Sequence, residues 1–164
     1  NMTAMITLTV VALTHLTYAV VPGFIERSRG AIINIASIVG IAPEVLNGVY
    51  GGSKAYVLAF TRSLHHELAN KGIQVQAVLP SATATPFWET GGLPLSQVDP
   101  GIVMQAEEMV DAALSGFMQG EIITIPSLHD ESRLKEWERA REAIMEDFSH
   151  NVPAARYLTP SFKH

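Results

Sequence analysis

Gly30-Ala-Ile-Ile-Asn-Ile-Ala-Ser37, then a helical pattern over residues 49–70, then Ile73-Gln-Val-Gln-Ala-Val-Leu79 form the most strongly patterned part of this 164-residue chain. The first run is short, apolar and isoleucine-rich, bounded by Gly30 and by Gly40 with Pro43, and reads as a strand over 30–37 buried on both faces. Val57, Leu58, Phe60, Leu64 and Leu68 recur with helical spacing, and Lys71-Gly72 supplies the stop. Ile73 to Leu79 is a second strand, closed by Pro80. Strand, helix, strand at these lengths predicts a βαβ unit with parallel strands and a right-handed crossover. Ser37 and the loop after Leu79 then leave the carboxyl ends of their strands, where open α/β sheets bind ligands. Tyr50 and Lys54 start from the same edge.

An i, i+4 pair on a helix projects to one face, so the Tyr50 phenol and the Lys54 ammonium can share a pocket. A neighbouring cation favours phenolate and lowers the phenol's pKa from about 10 toward use as an acid or base. The Ser37 hydroxyl can donate to, or accept from, a substrate oxygen interconverting between carbonyl and alcohol. A lone Tyr-x-x-x-Lys is common by chance on any helix; the strand ends around this one distinguish it.

Ile32-Ile-Asn-Ile-Ala-Ser37, Tyr50-Gly-Gly-Ser-Lys54, Phe60-Thr-Arg-Ser-Leu-His-His-Glu-Leu68 and Gly72 to Pro80 together resemble the second half of a short-chain dehydrogenase/reductase, over roughly residues 1–127. The resemblance implies a Rossmann-like, doubly wound parallel α/β sheet of which only the second half is present. It implies Tyr50 as acid/base, Ser37 as orienter of the substrate oxygen, and Lys54 as the group that lowers the Tyr50 pKa and holds the nicotinamide ribose. In Pro80-Ser81-Ala-Thr83-Ala-Thr85, backbone at Thr83 and the Thr85 hydroxyl are expected to meet the nicotinamide amide and a nearby phosphate. Ser81 replaces the family's usual glycine, and Thr9 stands where the family has a catalytic asparagine. Phe87 and Trp88, with Pro86, Leu93, Pro94 and Leu95, fall in the loop that covers the substrate in the family.

No Gly-x-x-x-Gly-x-Gly or Gly-x-Gly-x-x-Gly follows any predicted strand, so no pyrophosphate cradle is found in these residues. The chain also begins with Asn1 in the lead-in to a helix, and is expected to be a partial polypeptide or a naturally truncated reading frame. Two functions therefore stand: an NAD(P)-dependent oxidoreductase acting on a carbonyl or alcohol, with NAD or NADP as cofactor and NADP slightly preferred, or a non-catalytic remnant serving as a dimerisation module. Without its neighbour in the family's sheet order, the strand at 31–37 would present a bare apolar edge that something must cover.

Net charge −5, a pI near 5.6 and no basic stripe exclude nucleic acid as a partner. Zero cysteines exclude disulfides and thiolate metal sites, and no metal is expected. A cytoplasmic protein is the expectation. Residues 1–25 carry no Asp, Glu, Lys or Arg, and only Glu26, Arg27, Arg29, Glu44 and Lys54 are charged in the first 61, so this stretch is expected to be interior or interface. Its threonines, His15 and Pro22 argue against a membrane span. A helix buried by the sheet on one side and a subunit on the other fits better, and the resemblance implies a homodimer or homotetramer through helices near 5–25 and 49–70.

His65, His66 and Glu67 read as a solvated face, since adjacent histidines point about 100° apart on a helix. Ser132-Arg-Leu-Lys135 matches a penicillin-recognising motif without its companions. Ala106–Met118 is predicted as a helix and residues 121–126 as a last strand. Residues 128–164 form a second region, with a tail helix over 130–149 carrying Leu134, Trp137, Ile144 and Phe148 on one stripe.

Overall fold

A computed structural model describes residues 1–46, 48–86, 88 and 94–158. The chain divides into two compact units, Asn1–Ser127 and Leu128–His164. The first contains α1 (Met2–Glu26), β1 (Gly30–Ile35), α2 (Gly48–Leu68), β2 (Ile73–Val78), β3 (Thr83–Ala84), β4 (Met104–Gln105), α3 (Ala106–Met118) and β5 (Ile123–Thr124). The second contains α4 (Glu131–Glu146).

β1, β2 and β5 form a parallel sheet in that order, with Gly30 opposite Ile73, Ile35 opposite Val78, and Val78 opposite Thr124. The predicted βαβ unit is present. Its helix passes into a 3-10 turn at Ala69–Lys71 and ends at Gly72, whose φ of 75° is left-handed. A Cβ there would lie 2.3 Å from the Ser28 carbonyl oxygen, so the turn into β2 requires glycine. Val21, Ile32, Leu64, Leu68, Ile73 and Val75 make the core between α1, α2 and one sheet face, with Phe24 and Phe60 packed against it. Inside it the Asn34 amide donates to Thr61 Oγ1 at 3.0 Å, and Thr61 donates to the Val57 carbonyl, so the polar pair is satisfied.

The opposite face differs from expectation. α3 covers β2 there, where Gln74 and Gln76 donate to the Phe117 and Ala113 carbonyls. β1 lies at the sheet edge, and its Ile33 and Ile35 remain 37% and 47% exposed. The strand expected to be buried on both faces buries one, because the helix over that face is carried by β2 and β5. Among the described residues β1 has no strand neighbour on its outer side.

The last strand contracts from 121–126 to Ile123–Thr124. Glu121 N–H closes the end of α3 on the Gly116 carbonyl, and Pro126 has no N–H to offer a ladder. A separate parallel pair joins Thr83 to Met104 and Ala84 to Gln105.

α1 is long and apolar enough to cross a membrane by length and composition, yet only 11% of its most apolar window is buried. Thr17 and Val21 face the core. Leu8 and Leu16 are 74% and 67% exposed, so this charge-free stretch is not interior within one chain. In the second unit α4 starts at Asp130, whose carboxylate accepts from Ser132 N and Oγ, while Lys135 pairs with Glu131. The Ser132-x-x-Lys135 match is thereby a capped, solvated helix start. Ile144 and Phe148 on its stripe are largely exposed.

Candidate active site

The carboxyl ends of β1 and β2 are tied together before any side chain takes part. Ala36 N–H donates to the Val78 carbonyl at 2.8 Å and Ile38 N–H to the Pro80 carbonyl at 3.1 Å. Ser37 sits between them in extended backbone, capping the 3-10 turn Ile38–Gly40, and its hydroxyl accepts from Val39 N and reaches the Pro80 carbonyl at 3.4 Å. Ser37 is 9% exposed, so its hydroxyl is fixed by backbone contacts rather than by solvent.

α2 brings the other two groups to this edge. Its first turns pass close to Pro43, and a Cβ on Gly51 would lie 2.8 Å from Pro43 Cβ, which explains a glycine beside Tyr50. The Tyr50 side chain hydrogen-bonds Ser37. Lys54 Nζ donates to the Ile35 carbonyl at 3.0 Å and lies 5.7 Å from the centroid of the Tyr50 ring. Ser37, Tyr50, Lys54 and the Pro80 carbonyl thus converge from two strand ends and one helix. The sequence motif is a spatial cluster.

The electrostatics correct one expectation. Burial raises the Tyr50 pKa above its ordinary value, and the Ser37 hydrogen bond opposes this only in part. Burial also lowers the Lys54 pKa. The net depression expected from Lys54 is not realised in this arrangement, because burial of the phenol disfavours its charged form. Tyr50 is therefore a protonated phenol at neutral pH, able to donate.

The loop after β2 places Pro80, Ser81, Thr83 and Thr85 along the same edge. Thr83 is buried and its hydroxyl donates to the Ser81 carbonyl at 3.1 Å; Thr85 is half-buried just past β3. The Trp88 indole N–H donates to the Thr83 carbonyl at 2.7 Å, so this half-buried tryptophan folds back onto the loop. Phe87, expected beside it in the substrate loop, lies outside the described residues, as does Leu93. Thr9 is half-buried on α1, inside a π-helical stretch, Thr7–Ala12. Nothing in the sequence pattern announces that stretch, nor the hydrogen bond of 2.6 Å between Thr14 Oγ1 and the Tyr56 hydroxyl that ties it to α2. Among the described residues no three His, Asp or Glu side chains gather as a metal site would require.

The sequence profile described as short chain dehydrogenase matches residues 1–92. Very-long-chain 3-oxoacyl-CoA reductase of Anas platyrhynchos is 44% identical over 81 residues, which cover 49% of this chain and 26% of that protein. The Bos taurus protein of that name is 43% identical over 92 residues, covering 52% and 30%. Among solved structures, a short-chain dehydrogenase from Sphingobium yanoikuyae in complex with NADPH superposes with TM-score 0.87 at 45% identity, over 93% of this chain and 59% of that one. A bulky-bulky ketone specific alcohol dehydrogenase from Comamonas testosteroni gives TM-score 0.81 at 41% identity, over 94% and 57%. The chain spans about a quarter to a third of the curated relatives and under two thirds of the solved ones.

Proposed function

The chain belongs to the short-chain dehydrogenase/reductase family, and from that premise we propose that it carries the proton-transfer site of an NAD(P)-dependent oxidoreductase acting on a carbonyl or alcohol. The observation that carries this reading is the convergence of Ser37, Tyr50 and Lys54 at the carboxyl edge of β1 and β2.

Three donor groups at one strand edge suit a nicotinamide ribose and a substrate oxygen side by side. The Lys54 ammonium and the Tyr50 hydroxyl would hold the ribose hydroxyls, with Pro80, Ser81, Thr83 and Thr85 along the nicotinamide. NADP is favoured slightly, on the strength of the NADPH-bound relative. The bound cofactor supplies hydride chemistry at the carbonyl carbon. Tyr50 moves the proton: its phenol donates to the carbonyl oxygen on reduction, and its phenolate accepts from the alcohol on oxidation. Ser37, pinned by Val39 and Pro80, orients that oxygen. Thr9 would complete the set with one hydroxyl where the family uses an amide, offering one donor instead of two. Trp88, with Phe87, would line the substrate side, and relatives acting on acyl and bulky ketone compounds suggest an apolar carbonyl substrate.

The raised Tyr50 pKa gives the pH dependence its sign. Reduction needs the phenol and oxidation the phenolate, so kcat for reduction should stay flat through neutrality while kcat for alcohol oxidation rises with pH to beyond pH 8. Initial rates in both directions across pH 6–10 test this. A falling oxidation limb over that range would remove Tyr50 as the base. Absence of NAD(P)H binding in calorimetry by the protein with whatever sequence precedes Asn1 included would instead favour the non-catalytic dimerisation module.

The exposed apolar residues of α1 call for a cover, and we place there a second copy of the chain, giving a homodimer or homotetramer through α1 and α2. Burying a leucine as open as Leu16 stabilises by about 1.5–3 kcal/mol. Leu16→Asp should therefore shift sedimentation from oligomer toward monomer, at least tenfold in dissociation constant. Unchanged sedimentation would place the interface elsewhere. A cytoplasmic location follows as a proposal from this covered α1.

A further inference from the structure

α1 is helical from Met2 to Glu26 but changes to π geometry over Thr7–Ala12. A π turn widens the helix and weakens its bonding; such turns persist where something holds them, frequently beside functional sites. The holding contacts here are specific. Thr14 Oγ1 donates to the Val10 carbonyl at 2.7 Å, inside the π stretch. With its proton so committed, the Thr14 oxygen accepts from the Tyr56 hydroxyl at 2.6 Å. The Tyr56 ring stacks on Phe60 at 5.5 Å and 15°, and Phe60 meets Tyr18 of α1 at 6.2 Å and 59°. A polar tie and an aromatic clamp thus join α1 to α2 at one level. Thr9 is the neighbour of Val10, and Tyr56 follows Lys54 by two residues on the helix that carries Tyr50.

We propose that Tyr56 is a positioning residue: through Thr14 its hydroxyl holds the π turn against the Tyr50-bearing helix and so sets where Thr9 stands relative to Tyr50 and Lys54. The proposal rests on the reductase reading for its catalytic consequence, but the holding of the turn does not. Tyr56 faces α1 rather than the Tyr50 side of α2, because six residues along a helix is a rotation of about 600°, leaving the two side chains on different faces. It acts without touching substrate.

Tyr56→Phe in the full chain keeps the ring stack and deletes only the hydroxyl. Amide exchange over residues 8–13 should accelerate about fivefold, the equivalent of one net hydrogen bond, while exchange over residues 73–78 stays unchanged. The kcat for carbonyl reduction should fall roughly tenfold with KM for cofactor and substrate within about twofold, as expected when a site group is displaced without loss of binding contacts. Thr14→Val should give the same kcat loss, and the double variant no further loss, since both substitutions break one tie. Wild-type exchange rates at 8–13 in Tyr56→Phe would overturn the proposal by itself. So would faster exchange with undiminished kcat, or losses that multiply in the double variant. A wild-type protein, with any sequence preceding Asn1 included, that exchanges slowly at 8–13 but reduces no carbonyl compound would remove the reductase reading and with it the catalytic consequence, while the exchange comparison still decides whether Tyr56 holds the turn.

Discussion

Tyr50→Phe should lower kcat for carbonyl reduction by roughly a hundredfold to ten-thousandfold, the usual worth of a positioned general acid, with little change in the KM for cofactor. The substitution removes one oxygen and nothing else. The ring stays half-buried at the start of α2, and Ser37 keeps its contacts with Val39 and the Pro80 carbonyl, so the fold should be undisturbed. Thermal unfolding read alongside the kinetics separates lost chemistry from lost structure. Because burial holds the phenol protonated, its loss should cost reduction at neutral pH in full, while the small oxidation rate at that pH has less to lose. A variant that retains its reduction rate would mean that water or another side chain supplies the proton, and Ser37 would be the next group to replace.

The legibility of this site follows from its dependence on local pattern. An isoleucine-rich run, a 3.6-residue period and a second β-rich run can be read without knowing what surrounds them, and they suffice to bring Ser37, Tyr50 and Pro80 to one edge. What could not be read depends on partners far along the chain or outside it. Ile33 and Ile35 have the composition of a strand buried on both faces, yet their exposure is decided by where α3 lies, and composition carries no record of that. The direction of the Tyr50 pKa was missed for a related reason. Spacing places an ammonium near the phenol, but the depth at which the phenol is buried decides the direction, and spacing carries no record of that. The π turn is not legible because the β-branched residues among Thr7 to Ala12 lower helix propensity without specifying π geometry, and the contact proposed to hold it comes from another helix, forty-two positions away from Thr14.

Lys54→Met should move activity and stability in opposite directions. On activity the expected loss is about a hundredfold in kcat/KM, because the ammonium holds the ribose in the proposed complex. On stability the expected change is a gain. Burial is the cause of the lowered Lys54 pKa, so at neutral pH the fold carries a charge that water would solvate better, and methionine fills much the same volume without that penalty. The Ile35 carbonyl loses its donor, but Ile35 lies on an open strand edge where water can replace it. Each kcal/mol gained would raise Tm by about 2–4 °C at this chain length. The pH dependence distinguishes this from generic repacking. A base whose folded pKa lies below its unfolded value releases its proton earlier in the folded state, so the wild-type penalty is full below the folded pKa and is relieved as pH rises toward the unfolded value of 10.5. The stability advantage of Lys54→Met should therefore shrink on going from pH 7 toward pH 10, below the range where Tyr50 ionises. An advantage constant across that range would show that packing, not the buried ammonium, sets the difference, and a destabilised variant would show that the bond to Ile35 outweighs the burial of charge.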